Sequence, residues 1–149
     1  MSPRLFSTEA SSDLLLNFSL PSKTIYSSHP VSSVIVPGAA GEYGVTEGHT
    51  PIVSELKSGL VTINHKDGTS EKYFVPGGFS LTHSNNTTDL TTPVAVKLDD
   101  IDGDAVGKNF AEAKKGWEAA EEGSQEKAAR WTEMETFKSI ATAVGVNVA

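Results

Sequence analysis

The stretch Gly41-Glu42-Tyr43-Gly44-Val45-Thr46-Glu47-Gly48-His49-Thr50-Pro51-Ile52-Val53-Ser54-Glu55-Leu56-Lys57-Ser58-Gly59-Leu60-Val61 decides how this chain reads. Gly44, Gly48 and Pro51 specify a defined turn, because glycine supplies positive φ and proline pre-sets its own. The turn presents His49-Thr50-Pro51 as a polar tip flanked by Glu42 and Glu47. Leu56 and then Gly59 lead out of it into the β-prone run Leu60-Val61-Thr62-Ile63. The reading is a loop over residues 43–51 held between strands, and short rigid loops on a sheet scaffold are common contact surfaces.

The flanking sequence is rich in short strands. Leu14, Leu16, Phe18 and Leu20 alternate with other residues, the period of a half-buried strand, and Pro21 ends the run. Val31 and Val34-Ile35-Val36 predict a second strand, stopped by Pro37-Gly38. Residues 59–65 and 71–75 flank Lys66-Asp67-Gly68-Thr69, and Asp-Gly between two β-prone runs marks a hairpin. Further strands are expected over residues 79–83, 89–92 and 94–98. Many short strands with regular turns mean a β-sandwich or flattened barrel of about ten strands over residues 13–98.

Near Leu98 the composition changes. Residues 1–98 hold six basic and eight acidic side chains, residues 99–149 six and eleven, and proline disappears. Asp102 and Asp104 are fit to cap a helix, and Val106, Phe110, Ala113, Trp117 and Ala120 share one face of it. Glu121-Glu122-Gly123-Ser124 breaks the pattern, with Gly123 suited to a left-handed helix end and Ser124 to the next cap. Ala128, Trp131, Met134, Phe137 and Ile140-Ala141 continue at similar spacing. So short a loop makes residues 99–149 an antiparallel helical hairpin. Its alanine-rich stripes are narrow, so the hairpin needs a partner surface or the sandwich.

Composition excludes several classes. A net charge of −7 is not the basic footprint of a nucleic-acid binder, nor of a protein drawn to anionic lipid. With no cysteine there is neither a disulfide framework nor a zinc-thiolate site. No run approaches the ~20 apolar residues of a membrane helix. His29, His49, His65 and His83 show no His-x-His or His-x-x-x-His spacing, so no metal site is read from them. Gly77-Gly78-Phe79-Ser80 lacks the lysine of a phosphate-binding loop and reads as a turn or bulge where two backbones meet. No Gly-x-Ser-x-Gly elbow occurs. No cofactor and no catalytic residue is expected. Residues 1–12 read as a flexible leader or the remnant of a mitochondrial presequence, since Ser2, Arg4 and Ser7 precede the first acid, Glu9.

Gly41, Gly44, Val45, His49, Pro51, Leu56, Gly59 and Val61 fill a pattern that resembles the signature of the small central-stalk subunit of F-type ATP synthases. That family is called delta in mitochondria and epsilon in bacteria. Val75-Pro76-Gly77-Gly78-Phe79 is a second element similar to the family's, and together the two matches cover most of residues 14–98. The resemblance implies a non-enzymatic rotor subunit, peripheral to the mitochondrial inner membrane on its matrix face. It implies a gamma subunit, a small mitochondrial epsilon subunit and the c-ring as partners. It also makes Glu42, Tyr43, Glu47 and His49 candidates for contact with the c-ring. A tight rotor interface further implies that apolar residues lie exposed on one outer face of the isolated sandwich. Two alternatives stand beside this reading: a bacterial-type epsilon with a nucleotide-sensing hairpin, and an unrelated β-sandwich binding module. Against the first, Ile101-Asp102-Gly103-Asp104 begins like the family's nucleotide motif, but Ala105-Val106 replace its Arg-Ala. Without that arginine the phosphate-gripping fork is missing.

Overall fold

The computed structural model describes residues 13–148; the expected leader over residues 1–12 lies outside the described residues. Ten strands precede two helices: β1 (Leu14–Ser19), β2 (Thr24–Val31), β3 (Ser33–Gly38), β4 (Gly41–Thr46), β5 (Ile52–Leu56), β6 (Gly59–Asn64), β7 (Ser70–Val75), β8 (Gly78–Thr82), β9 (Thr87–Thr91), β10 (Val96–Lys97), α1 (Gly103–Ala119) and α2 (Gln125–Val144). The strands form one curled sheet in the order β10-β7-β6-β3-β5-β8-β9-β1-β2, with β4 on the other side of β3. Pairing is antiparallel except for β1 against β9.

The sheet folds over at the β3–β5 link, where a single pair, Gly38 with Leu56, joins the two halves. Ala39 N donates to Glu55 O at 2.8 Å and Lys57 N to Pro37 O at 2.9 Å, so this seam is closed by backbone. The halves then face each other over one core. In β1 the alternation works as the sequence implies: Leu14, Leu16 and Phe18 are buried, and Phe18 meets Tyr73 of β7 edge-on at 5.5 Å. Val34, Val36, Val45, Val61, Ile63, Val75 and Leu90 complete the core. The β6–β7 turn takes the expected form. Gly68 sits at φ 86°, and the Asp67 carboxylate accepts from Thr69 N at 2.9 Å. At Gly78 two backbones do meet, because a Cβ there would lie 2.3 Å from Thr91 O.

The Asp102 carboxylate caps α1 by accepting from Asp104 N at 2.9 Å, and Ser124 Oγ caps α2 by accepting from Lys127 N at 3.1 Å. The helices pack through Phe110, Ala113 and Met134, with Phe137 and Val148 beside them. Phe74 lies on the face of β7 opposite the core side chains Tyr73 and Val75, yet it is only 4% exposed. α2 is the helix that touches the neighbouring strand β6, so the hairpin covers this outer face of the sheet.

Several local expectations need correction. Residues 43–46 are not loop: they belong to β4, and the turn proper is confined to residues 47–51. Glycine lowers strand propensity, which hid a strand whose cross-strand partner β3 overrides it. β2 and β5 also exceed expectation, since Thr24-Ile25-Tyr26-Ser27-Ser28-His29-Pro30 has no clean alternation; β2 is an edge strand with register shifts, where proline is tolerated. Pro37-Gly38 are the last two residues of β3, which ends there as expected. The last strand shrinks to Val96–Lys97, because Leu98–Asp100 turns into a single 3-10 turn. Gly123 has the positive φ foreseen for it, 77°, but α1 already ends at Ala120 with extended backbone. Trp131 meets Trp117 across the hairpin at 5.5 Å as the shared face implies, but stays 47% exposed.

Candidate interaction surface

Three places on the sandwich carry unusual chemistry: the turn after β4, a polar cluster across the second seam, and an apolar stripe on β5 and β8. The turn holds most of the residues singled out in the sequence. Glu47 is exposed and His49 half-buried, with His49 N donating to Thr46 O at 3.2 Å and His49 Nδ1 2.7 Å from Thr50 O. Tyr43 stands on β4 with its ring 6.3 Å from the His49 ring. Its hydroxyl is enclosed, without a hydrogen-bond partner among the described residues, and its ring packs on the core. Tyr43 thus braces the turn from below. Glu42 is exposed but stands at the other end of β4, about 16 Å from Glu47 along the strand at ~3.3 Å per residue. The structure therefore gathers Tyr43, Glu47 and His49 and leaves Glu42 apart.

The turn leans on its neighbour. Gly48 N donates to Asn86 Oδ1 at 2.9 Å, which ties residues 47–51 to the β8–β9 turn. Behind that turn His83 Nε2 lies 2.7 Å from Asp89 Oδ2, and Asn17 Nδ2 donates to Asp89 Oδ1 at 2.7 Å. Burial raises the Asp89 carboxyl, but the bonds to Asn17 and His83 outweigh it and leave the group below its ordinary value.

The second seam, where β2 faces β7 and β10, is closed by side chains. The Tyr26 hydroxyl donates to Glu71 Oε2, Lys97 Nζ donates to Glu71 Oε1 at 2.9 Å, and His65 Nε2 lies 3.2 Å from Glu71. His29 stacks on Tyr26 at 4.9 Å and meets His65 edge-on at 5.5 Å. Bonds from Tyr26 first, then Lys97 and His65, hold the Glu71 carboxyl down at about 2. The Tyr26 hydroxyl is pushed up by its burial and by Glu71. These groups satisfy one another as a clasp between β2 and β7. His65 and His83 stand just past the ends of β6 and β8 with carboxylate partners. Among the described residues no three histidine or carboxylate side chains are placed to hold a metal ion. Ala105 and Val106 occupy the first turn of α1, with Val106 buried.

The stripe is where the sequence said least and the structure says most. On β8 the hydroxyls of Ser80 and Thr82 are buried while Phe79 is 60% and Leu81 36% exposed. Val53, 73% exposed, pairs across the ladder with Leu81, and Glu55 pairs with Phe79. Ile52, which pairs with Thr82, lies on the other face of the ladder, and a cleft of about 350 Å³ lined by Pro51, Ile52, Val53, Leu81 and His83 joins the stripe to the turn region. Hydroxyls inside and large apolar groups outside is the inverse of a lone sandwich, and contiguous exposed apolar surface marks a contact site. The signal in the sequence was Phe79-Ser80-Leu81-Thr82, whose alternation is clear but whose inward face is not.

A sandwich with an apolar stripe on its outer face, a braced polar turn and a helical hairpin has the surface of a protein that docks on others. Comparison with known proteins says which kind. Residues 14–96 match the model of the ATP synthase Delta/Epsilon chain, beta-sandwich domain. The chain belongs to the ATP synthase delta/epsilon family. It is 37% identical over 147 residues to the ATP synthase F(1) complex subunit delta, mitochondrial, of Dictyostelium discoideum, covering 97% of this chain and 86% of that one. It is 30% identical over 141 residues to the mitochondrial ATP synthase subunit delta of Kluyveromyces lactis, covering 95% and 87%. Among solved structures, a chain of the Euglena gracilis mitochondrial ATP synthase (OSCP/F1/c-ring, rotational state 1) shares the fold. The TM-score is 0.82 at 22% identity, over 97% of this chain and 89% of that one.

Proposed function

We propose that this chain is a non-catalytic rotor subunit in the central stalk of a mitochondrial F-type ATP synthase, peripheral to the inner membrane on its matrix face. The observation that carries the reading is the inverted strand β8, with Phe79 and Leu81 outside and Ser80 and Thr82 inside. A rotor part must turn with its neighbours without slipping, which needs a large and largely apolar interface. In this reading the Val53–Phe79–Leu81 stripe seats the gamma subunit, and Glu47 and His49, braced by Tyr43, face the polar loops of the c-ring. Glu42 belongs to the rim of that contact, and the hairpin contributes to holding the small epsilon subunit. Proton flow then drives the c-ring, and this chain couples that rotation to gamma, with the chemistry of ATP synthesis carried out elsewhere in the complex. Among the described residues no helix is long and apolar enough to cross a membrane.

The test is a pull-down of the tagged chain from gently solubilised mitochondrial membranes, read by mass spectrometry. Recovery of gamma, the small epsilon subunit and the c-ring at fixed ratio is the expected result. Absence of all three, under conditions that keep the ATP synthase intact, overturns the reading.

A further inference from the structure

The candidate contact turn is not free-standing, and the residue that holds it lies far away in sequence. Asn86 sits in the left-handed region at φ 60°, which asparagine tolerates better than most side chains. Its side-chain carbonyl accepts from Gly48 N at 2.9 Å, and its main-chain carbonyl accepts from Leu15 N at 2.8 Å. The turn it belongs to is closed by His83 N donating to Thr87 O at 2.8 Å. One residue thus pins the turn after β4 to the β8–β9 turn and to the start of β1. Two loops that the sequence separates by more than thirty residues then form a single end of the sandwich. Thr50 from the first loop and Ser84 and Asn85 from the second are exposed there, beside His49 and His83.

We infer that the β8–β9 turn is a second half of the contact surface, that Ser84 and Asn85 touch the same partner as Glu47 and His49, and that Asn86 is the positioning residue that sets the two halves in register. This rests on the reading that the turn after β4 faces the c-ring, and extends it. The surface is hydroxyl, amide and imidazole beside the Glu47 carboxylate, so it suits a partner presenting polar loop backbone. It also runs without a break into the cleft of Pro51, Ile52, Val53, Leu81 and His83 that leads to the apolar stripe. A turn pinned by Asn86 loses little freedom on docking, which is how a short loop keeps a firm contact under load.

The absence of cysteine makes the test direct, because an introduced cysteine is the chain's sole thiol. Thr50→Cys and Ser84→Cys chains, each labelled with a maleimide photo-cross-linker, are reassembled into complexes depleted of this subunit and illuminated. Both are expected to form adducts with the c-ring subunit. Asn86→Gly keeps the left-handed turn but removes the acceptor, and should lower the Thr50→Cys adduct severalfold while sparing the Ser84→Cys adduct. Asn86→Asp restores an acceptor and should restore the first adduct, which a merely structural effect of position 86 would not do. If the Thr50→Cys chain reaches the c-ring and the Ser84→Cys chain does not, the two-loop surface is wrong while the c-ring reading stands. An Asn86→Gly chain that leaves both adducts unchanged removes the positioning role. If neither position reaches the c-ring in an intact complex, the underlying orientation fails and this inference with it.

Discussion

Replacing Phe79 by alanine separates binding from folding more sharply than any other single change. Phe79 is 60% exposed in the free chain, so of the ~200 Å² that a phenylalanine side chain can bury, about 120 Å² remains for a partner to cover. At ~25 cal/mol per Å² that area is worth about 3 kcal/mol, and the methyl group left by alanine retains part of it. The expected loss is about 2 kcal/mol of binding, roughly 30-fold in Kd. The folded chain loses less, because the greater part of the ring was never buried: the ~80 Å² already covered is worth about 2 kcal/mol by the same coefficient, less the part that alanine retains. The assay is titration calorimetry of the chain against the purified gamma subunit, paired with urea unfolding of each variant. A Kd within threefold of the parent refutes the docking face. An unfolding penalty in the ~3–5 kcal/mol range of buried aromatic deletions would equally refute it, by making Phe79 a core residue.

Phe18 gives the opposite pattern: fully buried against Tyr73, its change to alanine should cost about 3–5 kcal/mol in urea unfolding, with any binding loss following from unfolding. Gly78→Ala would put a Cβ within 2.3 Å of Thr91 O at a φ of 143°, and should destabilise the sandwich by about 2 kcal/mol or more in the same experiment. The Glu71 carboxyl is held at about 2 against an ordinary 4.5, so its contribution to stability is complete above pH 4.5 and is lost as pH falls toward 2. Glu71→Gln should flatten that part of the acid-unfolding curve. Ser124→Ala removes the cap of α2 and should lower hairpin stability by about 1 kcal/mol, read as faster amide exchange in the first turn of α2.

What could be read from sequence follows the strength of local rules. The β1 alternation, the Asp67-Gly68 turn and the caps at Asp102 and Ser124 are each dictated by a few neighbouring residues, and each appears in place. β4 escaped because its sequence, Gly-Glu-Tyr-Gly-Val-Thr, is strand only by virtue of pairing with β3. The seam clasp escaped for a similar reason, since Tyr26 and Glu71 are 45 residues apart and meet only once the sheet has curled. Of the candidate site, the turn with Glu47 and His49 was legible through its glycines and Pro51. The inward set of Tyr43, the distance of Glu42 and the latch from Asn86 were not, because all three depend on which strands lie side by side. The apolar stripe shows the limit most clearly. Phe79 and Leu81 read as ordinary strand residues and Val53 was in no expected strand, and only the burial of Ser80 and Thr82 reveals that they point outward.

A rotor subunit turns with gamma. A single cysteine at Glu112, exposed on α1, carries a fluorophore or bead into the immobilised complex, and rotation is followed while the enzyme hydrolyses ATP. The expected result is that the marker steps in the same direction and with the same dwell pattern as a marker on gamma. A marker that stays fixed relative to the catalytic head, in complexes that are hydrolysing ATP and turning gamma, would contradict it.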